Sequence, residues 1–305
     1  MQKKGGLGLA LAGGGIRGFS QLGILKVLEK NKIKADFITG TSIGSIVAAL
    51  YSCGLSSDEI YKHFSQIENK FKESNAFSRP SFRLLPFGKN SIDGFIDADI
   101  IEKESEEIFE SIGITNIKEV KVPLSIPSVD INSSRIVLFT SSPESFAETD
   151  DYIIIDDIPL SLVVRASSSI PIAMSTREYK GMRLADGGLR MNVPIHPLRQ
   201  MGADRVLAVT MNSWHESRPK NLIELSSRSI DIILCQQTDL LSTEAELCIN
   251  VAMPNINSLD LGKGHEAYEC GYKTALENES AIVKMAKPKF NFFGFGRYDF
   301  LRKDK

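Results

Sequence analysis

Leu7-Gly8-Leu9-Ala10-Leu11-Ala12-Gly13-Gly14-Gly15-Ile16-Arg17-Gly18 is the stretch that decides the fold. Leu7 to Ala12 is a short apolar run that stops at glycines, and its length and the turn behind it predict a buried strand. From Arg17 to Lys30 the period changes to that of a helix. Phe19, Leu22, Leu25 and Leu28 recur on one side, and Ile24 and Val27 widen the stripe. Phe37-Ile38-Thr39 predicts a second strand and Ser45 to Ser52 a second helix, with Gly54 placed to cap it.

The same alternation continues downstream. Strands are expected at Pro123 to Ile131, Arg135 to Thr140, Arg205 to Met211 and Cys248 to Met253. Helices are expected at Asp58 to Phe71, Ala98 to Ile112, Leu222 to Leu241 and Glu266 to Met285. Strands alternating with helices predict an α/β fold, a mostly parallel central sheet flanked by helices on both faces in three layers. No repeat, linker or boundary divides the chain. It reads as one domain over residues 7–285, followed by a basic-aromatic segment over 286–305.

Composition narrows the function classes. The chain has 305 residues, 42% hydrophobic and 24% charged, which excludes a disordered chain, a collagen-like fibre and a disulfide-stapled miniprotein. Lys plus Arg is 36 and Asp plus Glu is 38, a formal charge of −2, and nothing in that balance asks for nucleic acid. Cys53, Cys235, Cys248 and Cys270 form no CxxC pair and no zinc-spaced cluster, so they read as reduced thiols of an intracellular protein. The apolar run before Gly13 is too short for a signal peptide, and no stretch of about 20 apolar residues spans a membrane.

Two stretches depart from the average. Lys70 to Lys89 holds five basic residues, one Glu and four Phe, and Lys284 to Lys305 holds seven basic residues, two Asp and six aromatics. Each is either a solvated, Phe-packed surface or a basic-aromatic face that makes peripheral contact with a membrane or lipid aggregate. Glu144 to Asp157 has six acids and no base and reads as a solvated loop.

Three motifs carry chemistry. Gly13-Gly14-Gly15-Ile16-Arg17-Gly18 lies between a strand and a helix, where glycine N–H groups and the helix N-terminus favour negative charge. It also matches the dinucleotide fingerprint G-x-G-x-x-G, with Asp36 at a suitable distance. That fingerprint needs its acid at the end of the second strand, however, and Asp36 stands at the start. The strand end carries Gly40-Thr41-Ser42-Ile43-Gly44 instead, the strand–turn–helix context of a nucleophile elbow. Asp186-Gly187-Gly188, the third motif, is either a hairpin turn or a carboxylate freed to act as base; beside the other two motifs, the base is the better reading.

With these motifs in place the chain resembles the patatin-like phospholipases, which carry a glycine-rich oxyanion loop, a G-x-S-x-G elbow and a D-G-[AG] triplet in this order. Ala166-Ser167-Ser168-Ser169-Ile170-Pro171 and Asn192-Val193-Pro194 are similar to two further blocks of that family. The resemblance runs from Leu7 to about Met211 and more loosely to about Met285. It implies a Ser42–Asp186 dyad without histidine, with Ser42 as nucleophile and Asp186 as proton acceptor. It further implies an oxyanion hole along Gly13 to Gly18 and acyl-ester hydrolysis of phospholipids, lysophospholipids or acylglycerols, with neither metal nor cofactor. An acyltransferase using the same acyl-enzyme and a catalytically silent lipid-binding protein are the alternatives.

Histidine offers a competing triad, since His196, His215 and His265 all follow Asp186 in the α/β-hydrolase order. His196, in Pro194-Ile195-His196-Pro197, is the best placed of them; a lone histidine is more often structural. His63 is expected on a helix surface. Arg17 and Arg165 either meet lipid phosphate or brace their loops, with bracing favoured for Arg17 because an oxyanion is held by N–H groups. Ser167, Ser168 and Ser169 lack an elbow and read as polar packing near the dyad.

Overall fold

The computed structural model describes residues 5–73, 94–96, 98–212, 218–219 and 222–288. Along the chain run β1 (Leu7–Leu11), a 3-10 turn (Gly15–Gly18), α1 (Phe19–Lys30), β2 (Phe37–Gly40), α2 (Ile43–Ser52), α3 (Ser57–Glu73), β3 (Gly94–Ile96) and α4 (Asp99–Ile112). Then come β4 (Leu124–Asp130), β5 (Ile136–Thr140), β6 (Tyr152–Ile155), α5 (Leu160–Ser167), β7 (Ile172–Met174), β8 (Arg177–Tyr179), β9 (Met182–Asp186), α6 (Gly188–Met191) and α7 (Ile195–Met201). β10 (Arg205–Thr210), α8 (Leu222–Ser242), β11 (Leu247–Asn250), α9 (Gly264–Glu277) and α10 (Glu279–Ala286) follow.

Among the described residues the main sheet has nine strands, in the order β11-β10-β1-β2-β4-β5-β6, with β9 paired to β4 and β8 to β9. The steps from β11 through β4 are parallel. Every residue of β1, β2 and β10 is buried. Successive side chains point to opposite faces, so burial at every position means that both faces are covered. The apolar stripe of α1 (Phe19, Leu22, Ile24, Leu25, Val27 and Leu28) lies in this core, and Gly54, at φ +93°, ends α2 as expected.

The register of β4 positions the site. β2 runs parallel to β4 and pairs at Ile38↔Leu124 and Thr39↔Ser125. β9 runs antiparallel to β4 and pairs at Ser128↔Asp186, Val129↔Ala185 and Asp130↔Leu184. β5 occupies the other edge of β4 along this stretch, so β2 and β9 share one edge and meet end to end. The two strand ends therefore converge across about three residues of β4, roughly 10 Å at the usual strand rise. One strand end leads into Ser42 and the other carries Asp186.

Two expectations change. The acidic stretch Glu144 to Asp157 is not a continuous solvated loop: Tyr152–Ile155 forms the sheet-edge strand β6, parallel to β5, because the acids flank an uninterrupted Tyr-Ile-Ile-Ile. The helix expected from Glu266 to Met285 divides at Asn278, whose φ of −103° leaves the helical range. Pro194-Ile195-His196-Pro197 opens α7, where both prolines sit at or before the first turn and remove no helical hydrogen bond. Of the two basic-aromatic stretches, 74–89 and 289–305 lie outside the described residues, as does His215.

Candidate active site

Ser42 stands between β2 and α2 with φ 54° and ψ −128°. A non-glycine residue held at positive φ stores strain of order 1–3 kcal/mol, and the surroundings enforce it. A Cβ on Gly40 would lie 2.1 Å from the Gly44 carbonyl oxygen, and one on Gly44 would lie 2.6 Å from the Leu11 carbonyl oxygen. Glycine at both flanks is thus a steric requirement of the turn. The Ser42 N–H donates to Ser167 Oγ at 3.1 Å, and Ser45 Oγ donates to the Ser42 carbonyl at 2.5 Å. Thr41 Oγ1 donates to the Met191 carbonyl at 2.8 Å and Thr39 Oγ1 to the Pro194 carbonyl at 2.7 Å, tying the elbow to the segment after Asp186.

Asp186 ends β9 and is 5% exposed. Gly187 is helical, at φ −60° and ψ −24°, and Gly188 starts α6, so the Asp-Gly pair is not a hairpin turn. The Asp186 N–H donates to the Ser169 carbonyl at 2.9 Å. Oδ1 accepts the Gly188 N–H at 2.7 Å, whereas Oδ2 is buried with no hydrogen-bond partner among the described residues. Burial pushes the carboxyl up from 3.8 to about 6, against the opposing pull of the Ser42 hydroxyl and the Gly188 N–H, which favour the charged form. The Ser42 hydroxyl therefore lies close enough to act on Asp186 without completing a well-formed hydrogen bond.

The glycine loop wraps over this pair. A Cβ on Gly13 would fall 3.1 Å from Ser42 Cβ, and one on Gly18 would fall 2.5 Å from the Ile43 side chain. Gly15 has φ +58°, and a Cβ there would strike the Ser258 carbonyl oxygen at 2.1 Å. Two N–H groups of the run from Gly13 to Gly18 are paired with distant carbonyls. The Gly13 N–H donates to the Asn192 carbonyl at 3.3 Å and the Ile16 N–H to the Ser258 carbonyl at 2.8 Å. The N–H groups of Gly14 and Gly15 meet no acceptor among the described residues. Arg17 is buried and donates from Nε to the Gly14 carbonyl at 3.2 Å, which braces the loop.

Two cavities meet at Ser42. One, of about 90 Å³, is apolar and runs between Ile43, Ile46, Phe64, Ile67, Phe71 and Ile101. The other, of about 50 Å³, is lined by Gly14, Arg17, Asp186 and Asn192 on one side and by Leu234 and Cys235 of α8 on the other. Gly15, Ser42, Ile170, Ser258 and Leu259 border both.

The serine block supports the elbow and the acid as polar packing. Ser167 Oγ accepts from Ser42 and donates to the Pro127 carbonyl at 2.8 Å. Ser169 Oγ is held by Arg165, which is 1% exposed and reaches Ser175 and Asp99 as well. Arg165 is thereby a brace inside the fold. None of the described histidines borders either cavity. His196 is exposed beside Tyr152, His265 pairs with Tyr61, and His63 pairs with Gln66. Asp36 Oδ2 accepts the Leu7 N–H at 2.8 Å, a structural role at the start of the sheet. No group of three or more metal-ligating side chains occurs among the described residues. Sequence reasoning passed over two contributors, the Ser258 loop that clamps Gly15 and the inward face of α8; neither carries a local motif.

A family model described as patatin-like phospholipase matches residues 9–199. The lysophospholipase NTE1 of Mycosarcoma maydis is 24% identical over 97% of this chain and 14% of its own length. An uncharacterized NTE family protein of Mycobacterium tuberculosis is 26% identical over 67% of this chain and 48% of its own. The chain thus spans a small part of the fungal relatives and about half of the mycobacterial one. Among solved structures, VipD from Legionella pneumophila aligns with a TM-score of 0.44 at 14% identity, covering 92% of this chain and 67% of that one.

Proposed function

This chain belongs to the patatin-like phospholipase family, and on that premise we propose that it is a serine lipid acyl hydrolase working through Ser42 and Asp186. The observation that carries the proposal is the buried, half-partnered carboxylate of Asp186 beside a serine hydroxyl on a strained elbow, where an apolar and a polar cavity join. Asp186, with a carboxyl near 6, is charged at neutral pH yet basic enough to take a proton.

The reaction follows from these groups. The acyl chain enters the apolar cavity and brings its ester carbonyl to Ser42. Asp186 takes the hydroxyl proton as Oγ attacks, and the Gly14 and Gly15 N–H groups receive the oxyanion. Each such donor is worth roughly 3 kcal/mol of barrier. The leaving alcohol takes the proton back from Asp186, and water then cleaves the acyl-enzyme. Fatty-acyl esters of phospholipids, lysophospholipids or acylglycerols are the substrate class. The enzyme meets them at a lipid surface through peripheral contact, toward which the basic residues of 70–89 and 284–305 contribute charge. No helix among the described residues is long and apolar enough to cross a membrane.

The test is a panel of these lipids with mass-spectrometric detection of products. Wild type should release free fatty acid, and Ser42→Ala and Asp186→Asn should each abolish release while the proteins stay folded. Full activity in either variant would remove the dyad.

A further inference from the structure

Asn192 has no role in the scheme above, yet it is buried against the reacting groups. Its Nδ2 donates to Thr238 Oγ1 of α8 at 2.7 Å, and its N–H donates to Gln237 Oε1 at 2.7 Å. This anchoring turns Oδ1 the other way, where it is buried with no hydrogen-bond partner among the described residues. Two close approaches locate it. A Cβ on Gly188 would lie 3.1 Å from Asn192 Oδ1 and 2.9 Å from Asp186 Oδ1, and a Cβ on Gly13 would lie 2.7 Å from Asn192 Oδ1 and 3.1 Å from Ser42 Cβ. Asn192, Asp186 and Ser42 all border the smaller cavity.

Acylation of Ser42 Oγ removes the serine hydroxyl that acts on Asp186, so in the acyl-enzyme two buried acceptors, Asp186 Oδ2 and Asn192 Oδ1, flank the serine without a hydrogen-bond donor among the described residues. Leaving a buried acceptor unsatisfied is costly, so the pair calls for a donor with two protons. The cavity's roughly 50 Å³ exceeds what one water needs. We propose that Asn192 holds the hydrolytic water, which donates one O–H to Asn192 Oδ1 and the other to Asp186 Oδ2. This assignment rests on the Ser42–Asp186 reading above. With both protons directed, the water's lone pair faces the acyl carbonyl. Its oxygen bonds to the acyl carbon as one proton passes to Asp186. The tetrahedral intermediate then expels Ser42 Oγ, which takes that proton back, and the free carboxylic acid leaves.

The arrangement discriminates between acceptors of the acyl group. Water brings two O–H groups and uses both oxygens. An alcohol brings one, uses Asp186 alone, and gains nothing from Asn192. Asn192 thus biases the acyl-enzyme toward hydrolysis and away from transfer.

The experiment measures how the acyl-enzyme partitions in the full chain. A short soluble nitrophenyl ester is turned over in buffer with a fixed concentration of methanol, and methyl ester and free acid are quantified. Asn192→Ala should raise the ratio of methyl ester to acid about tenfold. Thr238→Val, which only unties the amide, should raise it by a smaller factor. An unchanged ratio in both folded variants overturns the proposal, as does a fall in both products together, since that would put Asn192 in acylation. Failure of the dyad reading looks different: wild type would then form no acyl adduct on Ser42 at all.

Discussion

Ser167 Oγ accepts the backbone N–H of Ser42 at 3.1 Å and donates its own O–H to the Pro127 carbonyl at 2.8 Å. Pro127 stands on β4 in the gap between the end of β2 and the end of β9, so one hydroxyl ties the strained elbow to the strand that aligns Ser42 with Asp186. Ser167→Ala leaves two buried backbone groups unpaired, at a cost of about 1–3 kcal/mol each. Urea denaturation should show a loss of about 2–6 kcal/mol for the two together. kcat should fall about tenfold with KM nearly unchanged, because the elbow relaxes without altering the cavities. Wild-type kinetics would refute the link.

The acid limb of the pH profile should report Asp186. Its carboxyl is raised to about 6 by burial, and the base must be charged, so kcat/KM of a soluble ester should climb through about pH 6 and level off above it. His196→Ala should leave both the limb and the rate unchanged, since His196 is exposed and away from the cavities. A limb abolished by His196→Ala would replace the dyad with a triad.

Stability should move oppositely with pH. The folded pKa of Asp186 lies above its ordinary value of 3.8, so the native state binds the proton more tightly than the unfolded chain. Stability from this group is therefore full below about pH 4 and is lost as pH rises through about 6. A displacement of about two units corresponds to about 3 kcal/mol. Asp186→Asn should be inactive yet more stable than wild type at pH 8, by up to that amount, with the gain vanishing near pH 4. Chemical denaturation at the two pH values measures the difference, and an equal gain at both would contradict the burial account.

Gly15→Ala should damage turnover more than binding. The new methyl meets the Ser258 carbonyl at a positive φ, so the loop must shift and misalign the Gly14 and Gly15 N–H groups. Loss of one such donor costs about 10²–10³ in kcat. Steady-state kinetics with a soluble ester should show kcat reduced by about that factor and KM within a few-fold of wild type.

Filling the apolar cavity should shorten the preferred chain. Ile67 borders it on the α3 side, and Ile67→Trp should depress hydrolysis of long-chain esters at least tenfold relative to a two-carbon ester. Equal loss across chain lengths would mean that the acyl chain lies elsewhere.

Much of this protein is legible along the chain because its signals are local. The apolar period of Phe19 to Leu28 requires a buried helix, the run from Leu7 predicts a strand, and the glycines around Ser42 meet the steric demand of a tight strand-to-helix turn. The resemblance of three ordered motifs named the family. Local pattern misled where flanks outvoted the centre, as at Tyr152–Ile155 inside its acidic border.

Only the tertiary structure decided which groups meet. Ser42 and Asp186 are 144 positions apart in sequence, and nothing in either segment says that β2 and β9 share one edge of β4. The same holds for the donors left free in the glycine loop. Gly13 and Ile16 lose theirs to Asn192 and Ser258 from distant segments, while Gly14 and Gly15 keep theirs. Asn192 is the sharpest case. Its side chain presents an acceptor at the site because Thr238 on α8 takes its Nδ2, while Gln237 fixes its backbone N–H. Hydrogen bonding and burial are pairwise properties of residues far apart in sequence, so they exist only once the chain has folded.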